Sequence, residues 1–179
     1  MTERVVVLGI GNVLMGDDAL GPHVIEALLA GYRFEENVRV LDAGTPGLDL
    51  APFVMEADSL ILVDTVRSDG APGALRLYPE DQILKHAPQP RLTPHDPAVK
   101  DVLLSCTFRG MVPRRVLLVG VIPKATAMGV GLSQEVRAAI PAVVDEVLRE
   151  LERLGVPAAP RPGALPAAPW WEKPAEIAG

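Results

Sequence analysis

Short apolar runs alternate with amphipathic stretches along most of the chain. Four runs are nearly continuously apolar and rich in branched residues, as is typical of strands covered on both faces, and they occupy residues 5–8, 38–43, 60–66 and 115–122. Apolar residues at helical spacing follow the first two runs, at residues 19–31 and 48–57. Two more helices are predicted on either side of the last run, at residues 98–108 and from a Ser133 cap to about residue 154. A shorter run at 74–78 fits a sheet edge. This alternation predicts an α/β domain with a mostly parallel sheet.

Two segments interrupt this pattern. Residues 79–94 contain four prolines and little periodicity, which predicts a long surface loop, and this loop leads into His95. After Leu154 the composition shifts to alanine and proline. We therefore expect one domain over residues 1–155 and a flexible Pro/Ala-rich tail over residues 156–179. Trp170 and Trp171 in that tail fit either a partner-docking anchor or a segment folded back on the domain.

Composition narrows the possible environment of the protein. The formal net charge of −6 argues against binding to nucleic acid or to an anionic membrane surface. No run approaches the roughly 18 apolar residues that span a bilayer, so we expect no membrane insertion. The N-terminal Met-Thr-Glu-Arg leads directly into the first strand without a signal-peptide pattern. The single cysteine, Cys106, cannot form an internal disulfide and lies on an apolar helix face, so we expect a core residue of a cytoplasmic protein.

Acidic residues follow three of the predicted strands. Asp17 and Asp18 come after the first strand and a glycine turn, Asp42 ends the second strand, and Asp64 interrupts the apolar run of the third. We expect Asp17 to cap the following helix, which leaves Asp18 for chemistry. The carboxyl ends of parallel strands line one crevice.

His95 can reach the same edge of the sheet, because it lies on a proline-stiffened loop before a helix. Two of these carboxylates and the imidazole of His95, from separate segments, would then form a three-ligand set with positions open for water or substrate. These donors suit a divalent ion such as Ni²⁺, Zn²⁺ or Mn²⁺ and exclude a thiolate-rich structural zinc site.

Five motifs together resemble the nickel–iron hydrogenase maturation endopeptidases. They occur in the family's order and read GIGNVLMGDDALG at 9–21, DAGTPG at 42–47, LVD at 62–64, PHD at 94–96 and LVGVIP at 118–123. The resemblance covers roughly residues 4–155. It implies a three-layer α/β/α fold with a twisted, mostly parallel five-stranded sheet. It also implies a cytoplasmic hydrolase that removes a C-terminal extension from the hydrogenase large-subunit precursor after nickel insertion.

The resemblance also assigns roles to individual residues. Asp18, Asp64 and His95 correspond to the nickel-recognising and catalytic positions, and Asp42, Gly44 and Thr45 to a substrate-binding loop. Nickel would arrive with the precursor, so the purified site would be empty or hold another divalent ion. For Asp42, a structural role in holding the glycine loop is an equal alternative.

Other functions are compatible with parts of the same pattern. A nucleotide-binding protein is suggested by Gly9 and Gly11, but Leu14 stands where the dinucleotide fingerprint needs its third glycine. A self-contained metal-dependent hydrolase could use the same carboxylates and histidine. A non-catalytic chaperone could bind the precursor without cutting it.

Overall fold

The computed structural model describes residues 3–45, 50–86, 99–108, 110, 113–164 and 166–172. Its strands are β1 (Val5–Ile10), β2 (Tyr32–Arg33), β3 (Val38–Gly44), β4 (Ser59–Thr65), β5 (Leu75–Pro79), β6 (Arg115–Val121) and β7 (Ala159–Pro160). Its helices are α1 (Leu20–Gly31), α2 (Ala51–Glu56), α3 (Glu80–His86), α4 (Val99–Phe108) and α5 (Gln134–Arg153).

Five strands form the central sheet in the order β3-β1-β4-β6-β5. The first four are mutually parallel, and β5 pairs antiparallel with β6 at the edge. This confirms the predicted mostly parallel sheet and the placement of the 74–78 run at its border. Because β1 lies between β3 and β4, the carboxyl ends of these three strands are neighbours.

Alternating residues of β1 face two separate apolar cores. Val5 and Val7 belong to a core that includes residues of α1 and α5, whereas Val6 and Leu8 belong to a core that includes residues of α2, α3 and α4. The second core also contains Cys106, so its predicted place in the interior is confirmed. Burial on both faces explains the continuous apolar runs and produces the three-layer arrangement that the motifs imply.

Two glycines let the end of β1 touch the start of α1. A Cβ atom on Gly21 would lie 2.3 Å from the Ile10 carbonyl oxygen, and one on Gly9 would lie 2.5 Å from the Gly21 carbonyl oxygen. Neither neighbour is a flexible side chain, so no larger residue fits without moving the backbone.

The carboxylate of Asp17 joins the turn before α1 to the loop before α5. It is 1% exposed and accepts hydrogen bonds from the amides of Lys124 (2.8 Å), Ala125 (3.0 Å) and Ser133 (2.6 Å), and from the Ser133 hydroxyl (3.0 Å). The prediction that Asp17 caps α1 is therefore wrong, because the N-cap of α1 is Ala19 and has no side-chain cap bond. A distant loop supplies more donors than the adjacent helix end does.

Ser133 begins α5 as the sequence predicts. Its hydroxyl accepts a hydrogen bond from the amide of Val136, and α5 continues through Pro141 to Arg153. The loop prediction for 79–94 is wrong over residues 80–86, which form α3. Glu80 and Asp81 favour the positive end of that short helix, and Ile83 is buried in the second core. Burial of Ile83 in the core thus stabilises a helix that the weak apolar periodicity of the segment does not predict.

Part of the predicted tail lies against the domain. The two residues of β7 pair antiparallel with β2, and the Arg161 amide donates to the Gly31 carbonyl oxygen at 2.8 Å. The Arg161 Nε atom donates to the Tyr32 carbonyl oxygen at 2.7 Å. These contacts show that residues 159–161 are folded back on the domain, while the flexibility of the tail stays a prediction. Among the described residues, no helix is long and apolar enough to cross a membrane.

The contact between β1 and α1 predicts the effect of adding one methyl group. We expect Gly21→Ala to destabilise the protein by about 1–3 kcal/mol, as overpacking does, and to lower Tm by about 2–4 °C for each kcal/mol. Gly31→Ala is the matched control, because nothing lies within 4 Å of a Cβ atom on Gly31. Urea unfolding of both variants measures the difference, and equal stabilities would contradict the proposed close contact.

The Asp17 contacts predict a second stability effect. We expect Asp17→Asn to lower the free energy of unfolding by about 1–3 kcal/mol, because the amide cannot accept all four bonds and directs donors at donors. Asp145→Asn, at an exposed position on α5, should change it by less than about 0.5 kcal/mol. Chemical denaturation of the two variants provides the comparison. If Asp17→Asn is as stable as Asp145→Asn, the four hydrogen bonds to Asp17 add nothing to the free energy of unfolding.

Candidate active site

The acids singled out in the sequence lie where β1, β3 and β4 end. Asp18 lies in the turn after β1, Asp42 is near the end of β3, and Asp64 is the second-last residue of β4. Because β3 and β4 flank β1, the three acids occupy one edge of the sheet. The three acids therefore lie at the neighbouring strand ends where the crevice was expected.

Asp18 is held by donors from two different segments. Its Oδ2 atom accepts a hydrogen bond from the Asn12 amide at 2.9 Å, and its Oδ1 atom accepts one from the Thr65 hydroxyl at 3.3 Å. The side chain is half-buried. The backbone around it is closely packed, since a Cβ atom on Gly11 would lie only 1.8 Å from the Asp18 carbonyl oxygen. The backbone at Asp18 can therefore lie here only because residue 11 is glycine.

Asp64 differs from Asp18 in its exposure. Its side chain is 0% exposed, and its Oδ1 atom accepts the Thr65 amide hydrogen at 2.7 Å. The expected crevice is therefore closed to solvent at Asp64 in this structure. Thr65 contacts both acids, through its amide to Asp64 and through its hydroxyl to Asp18.

The predicted substrate-binding residues line a small pocket beside these acids. The pocket is about 210 Å³ in volume, and its walls are formed by Gly11, Asn12, Val13, Asp42, Gly44, Thr45, Trp170 and Trp171. The Asp42 Oδ1 atom accepts a hydrogen bond from the Gly44 amide at 2.8 Å, which is the structural alternative considered for Asp42. The Gly44 carbonyl oxygen accepts the Gly11 amide hydrogen at 2.8 Å, so this loop is tied to the turn that holds Asp18.

His95 lies outside the described residues, as do residues 46–49 of the predicted substrate loop. Within the described residues, no group of three or more histidine, cysteine, aspartate or glutamate side chains could hold a metal ion. The structure therefore brings Asp18 and Asp64 to one place through Thr65. That these two acids and His95 bind a metal ion stays a prediction.

Sequence reasoning missed two contributors to this edge and left the location of a third open. Asn12 supplies the amide that holds Asp18, Thr65 connects the two acids, and the tryptophan pair closes the pocket. For Thr65 the available signal was its place beside Asp64 at a strand end. The sequence marks the tryptophans as a docking anchor or a folded-back segment, but their place at this pocket was not predictable, because the pocket's other walls lie more than 100 residues away in the chain.

Comparison with known proteins agrees with this architecture. The family model described as "Hydrogenase maturation protease" matches residues 22–150. The Hydrogenase 2 maturation protease of Escherichia coli K12 is 35% identical over 159 residues, which are 88% of this chain and 96% of the relative. The hydrogenase expression/formation protein HupM of Azotobacter chroococcum is 38% identical over 163 residues, 90% of this chain and 78% of the relative.

Solved structures give the same result. The hydrogenase maturating endopeptidase HybD from E. coli superposes with a TM-score of 0.80 at 34% identity, covering 88% of this chain and 98% of that one. The [NiFe] hydrogenase maturation protease HycI from Thermococcus kodakarensis shares the fold, with a TM-score of 0.66 at 22% identity over 84% of this chain and 93% of that one. Because the family model covers well over half of the sequence and the relatives match nearly all of it, the chain belongs to the hydrogenase maturation proteases, which are peptidase hydrolases.

Proposed function

We propose that this protein cuts the C-terminal extension from the large-subunit precursor of a nickel–iron hydrogenase. We further propose that it recognises the precursor by the nickel that the precursor already carries, through Asp18, Asp64 and His95. The observation that supports this best is Thr65, which donates one hydrogen bond to each carboxylate and so holds both acids at one edge of the sheet.

Electrostatics favours a cation at this position. Two carboxylates beside the same residue repel each other, and a divalent ion between them removes that repulsion. Since Asp64 is closed to solvent, a substrate-borne ion reaches it only if the groups covering it move when the precursor binds.

The proposed reaction is hydrolysis of one peptide bond. The oxygen of a water molecule adds to the scissile carbonyl carbon, and the bond from that carbon to the amide nitrogen breaks. A carboxylate at the site accepts a proton from the water, and that proton ends on the leaving amine. The substrate's nickel fixes the scissile bond beside this carboxylate, and such positioning is worth about 7–11 kcal/mol of barrier in well-oriented reactions.

The cytoplasm is the proposed location of this step. A buried single cysteine and the lack of any internal disulfide suit a reducing compartment.

Ligand variants test the proposal directly. We expect Asp18→Asn, Asp64→Asn and His95→Ala each to slow precursor processing at least about 100-fold, because even the outer partners of metal ligands cost about 10–100-fold when removed. Mass spectrometry of the nickel-loaded precursor before and after incubation measures the loss of the extension. Asp145→Asn is the control for an exposed acid outside the site. Normal cleavage by all three ligand variants, with wild-type Tm values, would disprove the proposed site.

The origin of the metal gives an independent test. We expect the purified protein to hold substoichiometric nickel, zinc and manganese by elemental analysis, and to cleave nickel-loaded precursor but not nickel-free precursor. A tightly held stoichiometric ion with equal cleavage of both precursors would instead identify a self-contained metal-dependent hydrolase. A stable complex without any change in precursor mass would identify a binding chaperone.

A further inference from the structure

The last described segment of the chain returns to the candidate active site. Within residues 166–172, Pro169 is buried, Trp171 is half-buried and Trp170 is 72% exposed. The family model ends at residue 150, so this segment lies outside it. Its two indoles meet edge to face, with ring centroids 5.8 Å apart and an interplanar angle of 85°.

Trp171 and Glu172 fix the segment to the domain. The Trp171 Nε1 atom lies 3.3 Å from Nε2 of His23, a residue of α1 that is 4% exposed. The Arg137 Nη2 atom on α5 lies 2.5 Å from the Glu172 Oε1 atom. The same segment therefore contacts both helices of one face of the sheet.

The protonation state of His23 is compatible with this attachment. Burial is the main influence and lowers the pKa of His23, while the charge of Glu172 raises it and that of Arg137 lowers it. The ring is therefore neutral at pH 7, and its Nε2 atom either accepts from Trp171 or donates to Glu172 Oε1, also 3.3 Å away. Either tautomer holds the segment against α1.

Anchored in this way, Trp170 and Trp171 form one wall of the pocket that also contains Asp42, Gly44 and Thr45. Asn12 lies in the same pocket, and its amide holds Asp18. The volume of about 210 Å³ is below the roughly 300–1,000 Å³ of sites for whole small molecules. A pocket of this size suits one side chain of a longer ligand.

Three large apolar side chains are exposed on the loops that adjoin the pocket. Leu14 is 57% exposed, Met128 88% and Val130 55%, and their two loops are joined by a bridge between Met15 and Gly129. Exposed apolar side chains beside a site are consistent with a surface for protein binding. The net charge of −6 therefore says less about what binds at this pocket than the exposed apolar side chains beside it do.

We propose that Trp170 is a substrate-contacting residue and that its pocket takes one apolar side chain from the precursor's extended peptide. This inference rests on the proposed function and names a subsite for it. The exposed indole supplies a flat apolar surface, and Val13 supplies a second apolar group. Asp42 on the rim can accept a hydrogen bond from a backbone amide of the same peptide.

Steady-state processing of nickel-loaded precursor by the full-length protein tests this subsite. We expect Trp170→Ala to raise KM at least about 10-fold, as loss of an aromatic anchor does, with kcat and Tm close to wild type. Phe108→Ala is the matched control, because Phe108 is 91% exposed and ends the helix that precedes β6, at the opposite edge of the sheet. It should leave KM unchanged.

A direct binding measurement uses the fact that the chain has only two tryptophans, Trp170 and Trp171. In protein labelled with 5-fluorotryptophan, the two ¹⁹F resonances are assigned with Trp170→Phe and Trp171→Phe. Excess unlabelled, nickel-loaded precursor should shift the Trp170 resonance, whereas bovine serum albumin should not.

The outcomes separate the two proposals. If the wild-type protein does not cleave the precursor, the proposed function is wrong and this subsite with it. Suppose instead that the wild-type protein cleaves the precursor, that Trp170→Ala has an unchanged KM, and that the precursor does not shift the Trp170 resonance of the wild-type protein. Only the subsite is then wrong. A lower KM for Trp170→Ala would show that the segment obstructs the site, and would also overturn this inference.

Discussion

The close backbone contact between the end of β1 and the start of α1 is the constraint on which the site depends. Glycine at positions 9 and 21 lets the strand and the helix touch, and glycine at position 11 lets the intervening turn pass the Asp18 carbonyl group. A wider turn would carry Asp18 away from β4 and out of reach of the Thr65 hydroxyl. Packing of small residues in the interior thus decides where the Asp18 carboxylate lies.

The adjacent acids Asp17 and Asp18 lie in one turn of 3-10 helix and accept hydrogen bonds from different parts of the chain. One carboxylate is buried and directed to the loop before α5, where it accepts four hydrogen bonds. The other is half-buried and directed to the ends of β1 and β4. The first fixes the turn relative to the rest of the domain, which in turn keeps the second in place. Two neighbouring aspartates therefore contact different parts of the domain.

The edge of the sheet that holds these acids also receives the end of the described chain. His23 and Arg137, on α1 and α5, fix Trp171 and Glu172, so the two helices that build one core also position the tryptophan pair. The pocket at these strand ends thereby gains an aromatic wall from a segment outside the matched family region. The family framework and this chain's own C-terminal segment meet at one pocket.

The sequence by itself determined the sheet, because strands buried on both faces must be continuously apolar, and it determined which strand ends carry acids. It also determined the family, because five spaced motifs are far more specific than any one of them. Only the tertiary structure decided that Asp17 holds a distant loop, that residues 80–86 form a helix, and that Thr65 connects Asp18 with Asp64. These outcomes depend on groups far apart in the chain, whose donors, acceptors and apolar surfaces become neighbours only when the layers pack. The apolar and polar pattern of a short segment carries no information about such partners. The place of each acid along its strand was therefore predictable, and the partner of its side chain was not.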